Sequence, residues 1–153
     1  MMLERAKIHH IAFDYVYAQV RAGKSAGHSV EFGDVSNPQM QGAAALAKAK
    51  LVAVMLEDHD RACRLAEQLR GFYPALPIYV AVGDLLTRDH LRQLGIFHAI
   101  TTYLEGNLIL ATEVLTNAGL SEEIVHEMVE DFRKDGYALL RATRSISSPG
   151  NAS

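Results

Sequence analysis

The chain has 153 residues, 49% of them hydrophobic and 22% charged, which suffices for one globular domain with a sizeable core and is too little for two ordinary ones. A formal net charge of -3 gives no reason to expect nucleic acid or an anionic membrane as a partner. Apolar runs no longer than Leu51–Leu56 rule out a membrane-spanning helix, MMLERAKIHH lacks the apolar stretch of a secretory signal, and a single cysteine, Cys63, permits no internal disulfide and fits the cytoplasm.

In chain order, Leu3–Lys7 has the length of only a last helical turn. Ile8–Phe13 reads as a strand that ends at Asp14. A carboxylate at the carboxyl end of a parallel strand faces the crevice where open α/β sheets bind ligands, and it can accept hydrogen bonds from both ribose hydroxyls of a nucleotide. From the residue alone, a helix cap or solvated turn residue is the plainer role. Tyr15 borders the same crevice.

Val16–Ser25 has the composition of a helix and Ser29–Phe32 that of the next strand. The turn Gly33-Asp34-Val35-Ser36 follows, and its backbone groups and the Asp34 carboxylate can flank an adenine ring or act simply as turn and cap. Ser36-Asn37-Pro38 opens a helix over Pro38–Leu46, with proline at the first helical position, where its missing N–H costs nothing. After the strand Leu51–Leu56, Glu57 and Asp58 fall on the same edge of the sheet, and they also suit a helix N-terminus that favours negative charge. Asp58 is expected to cap Arg61–Arg70, and Thr87 to cap Arg88–Leu94. Ile78–Val82 and the weaker Phe97–Thr101 complete the strands.

The runs around Val52 and Val80 lack polar alternation, as expected when both faces of a strand are covered. Gly71, Gly95 and Gly119 stand where helices should stop. Strands alternating with helices indicate an α/β parallel sheet. Beyond it, Leu104, Leu108, Ala111 and Leu115 mark one amphipathic helix, and Ile124, Val125, Met128 and Phe132 mark another that begins at Ser121. Their apolar stripes are expected to be buried on the sheet or on another subunit. From Thr143 onward the composition predicts a disordered tail.

Catalytic and metal chemistry find little support. The seven histidines are scattered over separate elements, so no metal site is expected. Cys63 reads as a packed thiol, and there is no nucleophile elbow or phosphate loop. No glycine precedes Gly23, so the glycine-rich fingerprint of a dinucleotide fold, with the strand before it, is absent.

The run from Ile11 to Asp84 resembles one family closely. Its landmarks are the strand ending in Asp14, the Gly33-Asp34-x-Ser36 turn, Ala47-Lys48-Ala49 before a strand, the acidic Glu57-Asp58 turn and Phe72-Tyr73-Pro74 before the next strand. Leu104-Glu105-Gly106 and Gly119-Leu120-Ser121-Glu122-Glu123 extend the match. Together they are similar to the RCK or TrkA-N regulatory nucleotide-binding domain of potassium transport systems, most of all the version in Kef-type cation:proton antiporters. Val16, Ala81 and Gly83 stand where that family tends to carry charged residues.

The resemblance implies an N-terminally truncated, Rossmann-like parallel sheet without its first strand and glycine-rich loop, followed by two amphipathic helices. The α/β part would span 3–101, the helical extension 104–142 and the tail 143–153. It implies a non-enzymatic module that senses a nucleotide (NAD(H), AMP or ATP) and controls potassium efflux. In such a module Asp14 holds the ribose, while Asp34, Val35 and Ser36 lie at the base and Tyr15, Glu57 and Asp58 border the crevice. Without the phosphate-binding loop, binding is expected to be weak. The expected partners are a second copy through the C-terminal helices and a membrane antiporter at the cytoplasmic face of the inner membrane. The alternatives are a ligand-free dimerisation module derived from that domain and a fragment of an NAD-dependent oxidoreductase.

Overall fold

The computed structural model describes residues 2–43 and 46–135. The expected tail and the end of the expected helical extension lie outside the described residues. In order the elements are α1 (Met2–Arg5), β1 (Ala12–Asp14), α2 (Tyr17–Ser25), β2 (Val30–Phe32), α3 (Pro38–Ala43), a 3-10 turn (Leu46–Lys48) and β3 (Val52–Val54). There follow α4 (His59–Phe72), β4 (Ile78–Val82), α5 (Leu85–Gln93), β5 (His98–Thr101), α6 (Thr102–Asn117) and α7 (Glu122–Lys134). Among the described residues no helix is long and apolar enough to cross a membrane.

All strand pairs are parallel, and they fall into two groups, β1-β2 and β3-β4-β5. Ala12 lies opposite Val30 in the first group; Val52 opposite Ile78 and Val82 opposite Thr101 fix the second. A doubly wound sheet of order 3-2-1-4-5-6 divides in this way when its central first strand is taken out, leaving 3-2 and 4-5-6. The α/β architecture with parallel strands is therefore as the sequence indicates.

The core sits between the three-stranded sheet and the helices α4 and α5. Ile78, Val80 and Val82 point inward from β4 and meet Ala62, Leu65, Ala66 and Leu69 of α4, with Leu91, Ile96 and Ala99 beyond. The spacing of the α4 residues is that of one helical face, and the β4 residues are alternate positions of a strand. Among the described residues the other face of this sheet is open: Ala53, Tyr79 and Ile100 are exposed, and the Tyr79 ring stacks on His98 with centroids 4.2 Å apart. The expectation that both faces are covered is thus corrected. The outward positions carry Ala, Tyr and Ile, so hydropathy concealed an alternation that burial reveals.

Local chemistry sets the helix ends. Asn37 Oδ1 accepts from Gln39 N–H at 3.0 Å ahead of α3, and Asp58 Oδ1 accepts from Arg61 N–H at 2.9 Å to cap α4. The cap of α5 is Asp84 rather than Thr87. Its Oδ1 accepts from the N–H groups of Leu86 and Thr87 at 2.8 and 3.0 Å, and the Thr87 hydroxyl donates to its Oδ2 at 2.9 Å. Gly95 and Gly119 take φ of 79° and 100°, the left-handed conformation that ends a helix. Gly71 does not stop α4, which runs on to Phe72.

The N-terminal half is thinly packed. Of the hydrophobic residues in α1, β1, α2 and β2 only Val20 is buried, although Phe13 leans on the main core. At the other end, Leu104, Leu108, Ala111 and Leu115 of α6 are half-buried and Val125 of α7 is fully buried. Arg133 donates to Glu105 Oε2 at 2.7 Å and to Glu130 Oε1 at 2.8 Å, tying α7 to α6. Facing away are Tyr103, Leu110 and Val114, 70%, 63% and 58% exposed.

Candidate functional site

The carboxyl ends of β1 and β2 and the start of α4 meet in one place. Asp14, the last residue of β1, accepts Val16 N–H on Oδ1 at 2.7 Å, and its backbone carbonyl accepts Gly33 N–H at 2.9 Å. The first bond is the turn-stabilising role that the residue type allows. A carboxylate has about four lone-pair sites, so that one bond leaves acceptor capacity for a hydroxyl.

Asp34 is the most engaged residue of the site. Oδ1 accepts Ser36 N–H at 3.0 Å and the Ser36 hydroxyl at 2.5 Å, while Oδ2 accepts from the Arg61 guanidinium at 2.6 Å. The Ser36 hydroxyl, and to a smaller degree the charge of Arg61, hold the Asp34 carboxyl below its ordinary range against the opposing effect of burial. Val35 packs against the core, and its carbonyl accepts from Nε2 of the buried Gln41 at 3.1 Å, which fixes the turn from beneath.

Arg61 links these pieces. Its guanidinium carbon lies 4.2 Å from the centroid of the Tyr15 ring while the same group donates to Asp34. One side chain from α4 therefore touches the residue after β1 and the turn after β2. Of the crevice residues expected from the sequence, Tyr15, Asp34 and Ser36 come together through Arg61, and Asp14 is joined to the same turn through Gly33 N–H. Asp58 lies beneath Arg61 as its helix cap, and Glu57 is exposed to solvent.

Sequence reading missed Arg61. The available signal was a cation in the first turn of a helix, where the macrodipole disfavours positive charge; a residue kept there against the dipole has a partner elsewhere. Gln41 left no comparable signal.

Further along the sheet edge, a Cβ on Gly83 would lie 2.9 Å from His59 Nδ1, so the His59 ring fills the space beside the end of β4. Cys63 donates to Glu67 Oε1 at 3.6 Å, and burial, then the Glu67 charge, push its thiol up to about 11. It is a packed thiol, protonated at neutral pH. Among the described residues no group of three or more His, Cys, Asp or Glu side chains is arranged to hold a metal ion.

The TrkA-N domain family model matches residues 2–102. A protein of Alkalimonas amylolytica named as a K(+) efflux antiporter, KefB, is 29% identical over 139 residues, covering 91% of this chain and 21% of that protein. The chloroplastic K(+) efflux antiporter 3 of Arabidopsis thaliana is 28% identical, covering 81% of this chain and 16% of its own length. The chain thus spans about a fifth or less of the length of these curated relatives. Among solved structures, the Kef CTD of Shewanella denitrificans in AMP-bound form superposes with a TM-score of 0.77 at 21% identity, over 95% of this chain and 89% of that one.

Proposed function

The chain belongs to the TrkA-N domain family, of the Kef type, and from that premise we propose that it is a regulatory module that binds a nucleotide and thereby controls potassium efflux through a membrane antiporter. It acts by binding rather than by catalysis. The observation that carries this reading is the convergence of Asp14, Tyr15, Asp34 and Ser36 at the carboxyl ends of two parallel strands, where open α/β sheets take their ligands. Asp14 holds the ribose hydroxyls, while the Asp34 to Ser36 turn receives the base. AMP, ATP and NAD(H) share that adenosine portion. The antiporter partner places the module at the cytoplasmic face of a membrane.

Calorimetric titration with AMP, ATP and NADH tests it, on the chain and on Asp14→Ala. Heat with at least one nucleotide, abolished in the variant, is the expected outcome. Absence of heat with all three ligands eliminates the binding function.

A second reading is favoured by the exposed Tyr103, Leu110 and Val114 on α6. In it the chain is a dimerisation module without a ligand, working through its C-terminal helices. A strict monomer in light scattering at high protein concentration counts against it.

A further inference from the structure

The position of Arg61 resembles that of a ligand more than that of an ordinary surface cation. Its guanidinium is planar, lies over the Tyr15 ring at 4.2 Å and donates a 2.6 Å hydrogen bond to Asp34 Oδ2. Stacking on an aromatic face and N–H donation to a carboxylate are the two interactions that an adenine ring with its exocyclic amine would make with the same pair. The backbone from which the guanidinium reaches is fixed, because Asp58 caps α4 through the Arg61 N–H itself at 2.9 Å. The Asp34 carboxylate is aimed by two bonds from Ser36, at 3.0 and 2.5 Å.

We propose that Arg61 is an internal competitor for the base position: in the free protein its guanidinium occupies the Tyr15–Asp34 site, and an adenine nucleotide enters by displacing it. The inference rests on the nucleotide-binding reading above and adds the element that sets affinity and base preference. The entering base exchanges one hydrogen bond to Asp34 for another, so binding at this end of the crevice is held weak by design of the site. A base with an amine at the acceptor's position satisfies Asp34. One with a carbonyl there sets oxygen against carboxylate, so adenosine is preferred to inosine. Apparent affinity is reduced by the fraction of molecules in which the guanidinium is seated, and removing the guanidinium removes that reduction.

NMR titration of the isotopically labelled chain with adenosine, inosine and AMP, for the wild type, Arg61→Ala and Arg61→Lys, tests this. Arg61→Ala is expected to bind adenosine and AMP about two- to fivefold tighter than wild type, the range of a partly exposed ion pair. Arg61→Lys, which keeps the charge but not the planar fork, is expected to fall between them, and inosine to bind more weakly than adenosine throughout. If the wild type binds and Arg61→Ala, still folded by its amide spectrum, binds equally or less tightly, the competitor role is overturned while the nucleotide reading stands. Should Arg61→Ala lose its fold, the lysine variant decides: affinity at or below wild type overturns the role. Silence of all three ligands with every folded variant overturns the competitor, and the calorimetric titration with AMP, ATP and NADH decides the nucleotide reading separately.

Discussion

Asp34 concentrates the electrostatics of the site in one side chain. Its carboxyl, held down first by the Ser36 hydroxyl and then by Arg61, titrates below the ordinary value of 3.8 in the folded chain. The unfolded chain therefore takes up this proton first as pH falls. The stability that Asp34 contributes is fully present above 3.8 and is lost as pH drops through the lower folded value. Urea denaturation of wild type and Asp34→Asn should show the wild type more stable at neutral pH, with the difference closing as the pH falls below the ordinary value of 3.8. A difference that persists unchanged at the acid end would mean that packing, not charge, carries the effect. Asp34 and Ser36 were legible in the sequence because Gly-Asp-x-Ser is a turn with a mechanism. Arg61 was not, because its partners are 27 residues away in the chain for Asp34 and no local pattern records such a pair.

At the scale of elements, helix ends show where local reasoning succeeds and where it fails. Asn37-Pro38, Asp58 and Ser121 were readable as starts, and their side chains do accept from backbone N–H groups of the first turn. Asp84 and Thr87 are both residue types that can cap, and only the end of β4 at Val82 determines that Asp84 is the one positioned to do so. Asp84→Ala removes the acceptor of two backbone N–H groups and of the Thr87 hydroxyl, and should lower stability by about 1–2 kcal/mol, whereas Thr87→Ala should lower it by less than about 1 kcal/mol. Chemical denaturation of the two variants checks the order. The stripes of α6 and α7 were also legible, being periodic over many residues. Their outlet is open in the sequence between sheet and second subunit; within the chain α6 packs on α7 and β5, and Leu104, Leu108, Ala111 and Leu115 are half-buried. The exposed Tyr103, Leu110 and Val114 of α6 stand among Thr, Glu and Asn residues, so no continuous second stripe marks them in the sequence.

The molecule as a whole is unevenly built. Among the described residues the three-stranded sheet with α4 and α5 holds most of the buried hydrophobic residues, while β1, β2 and α2 contribute Val20 and the half-buried Phe13. Cooperative units follow buried apolar contact, so amide hydrogen exchange should be distinctly slower in β3, β4 and β5 than in β1 and β2. Uniform protection across the five strands would contradict this. The parallel architecture was legible from strand and helix alternation. The division into two sheets was not, since pairing order is a long-range property, and neither was the uncovered sheet face, since Ala53, Tyr79 and Ile100 carry no charge to mark it.

Arg61 belongs to the well-packed half, whereas Asp34 and Tyr15 belong to the thin one. The guanidinium is thus a fastener across a seam, and a fastener made of charge. Partly exposed ion pairs weaken as dissolved ions accumulate, with screening lengths near 8 Å at about 0.15 M salt and 3 Å at about 1 M. The share of this seam that Arg61 and Asp34 supply therefore shrinks as salt is added, while the apolar contact of Phe13 and Val35 with the core remains.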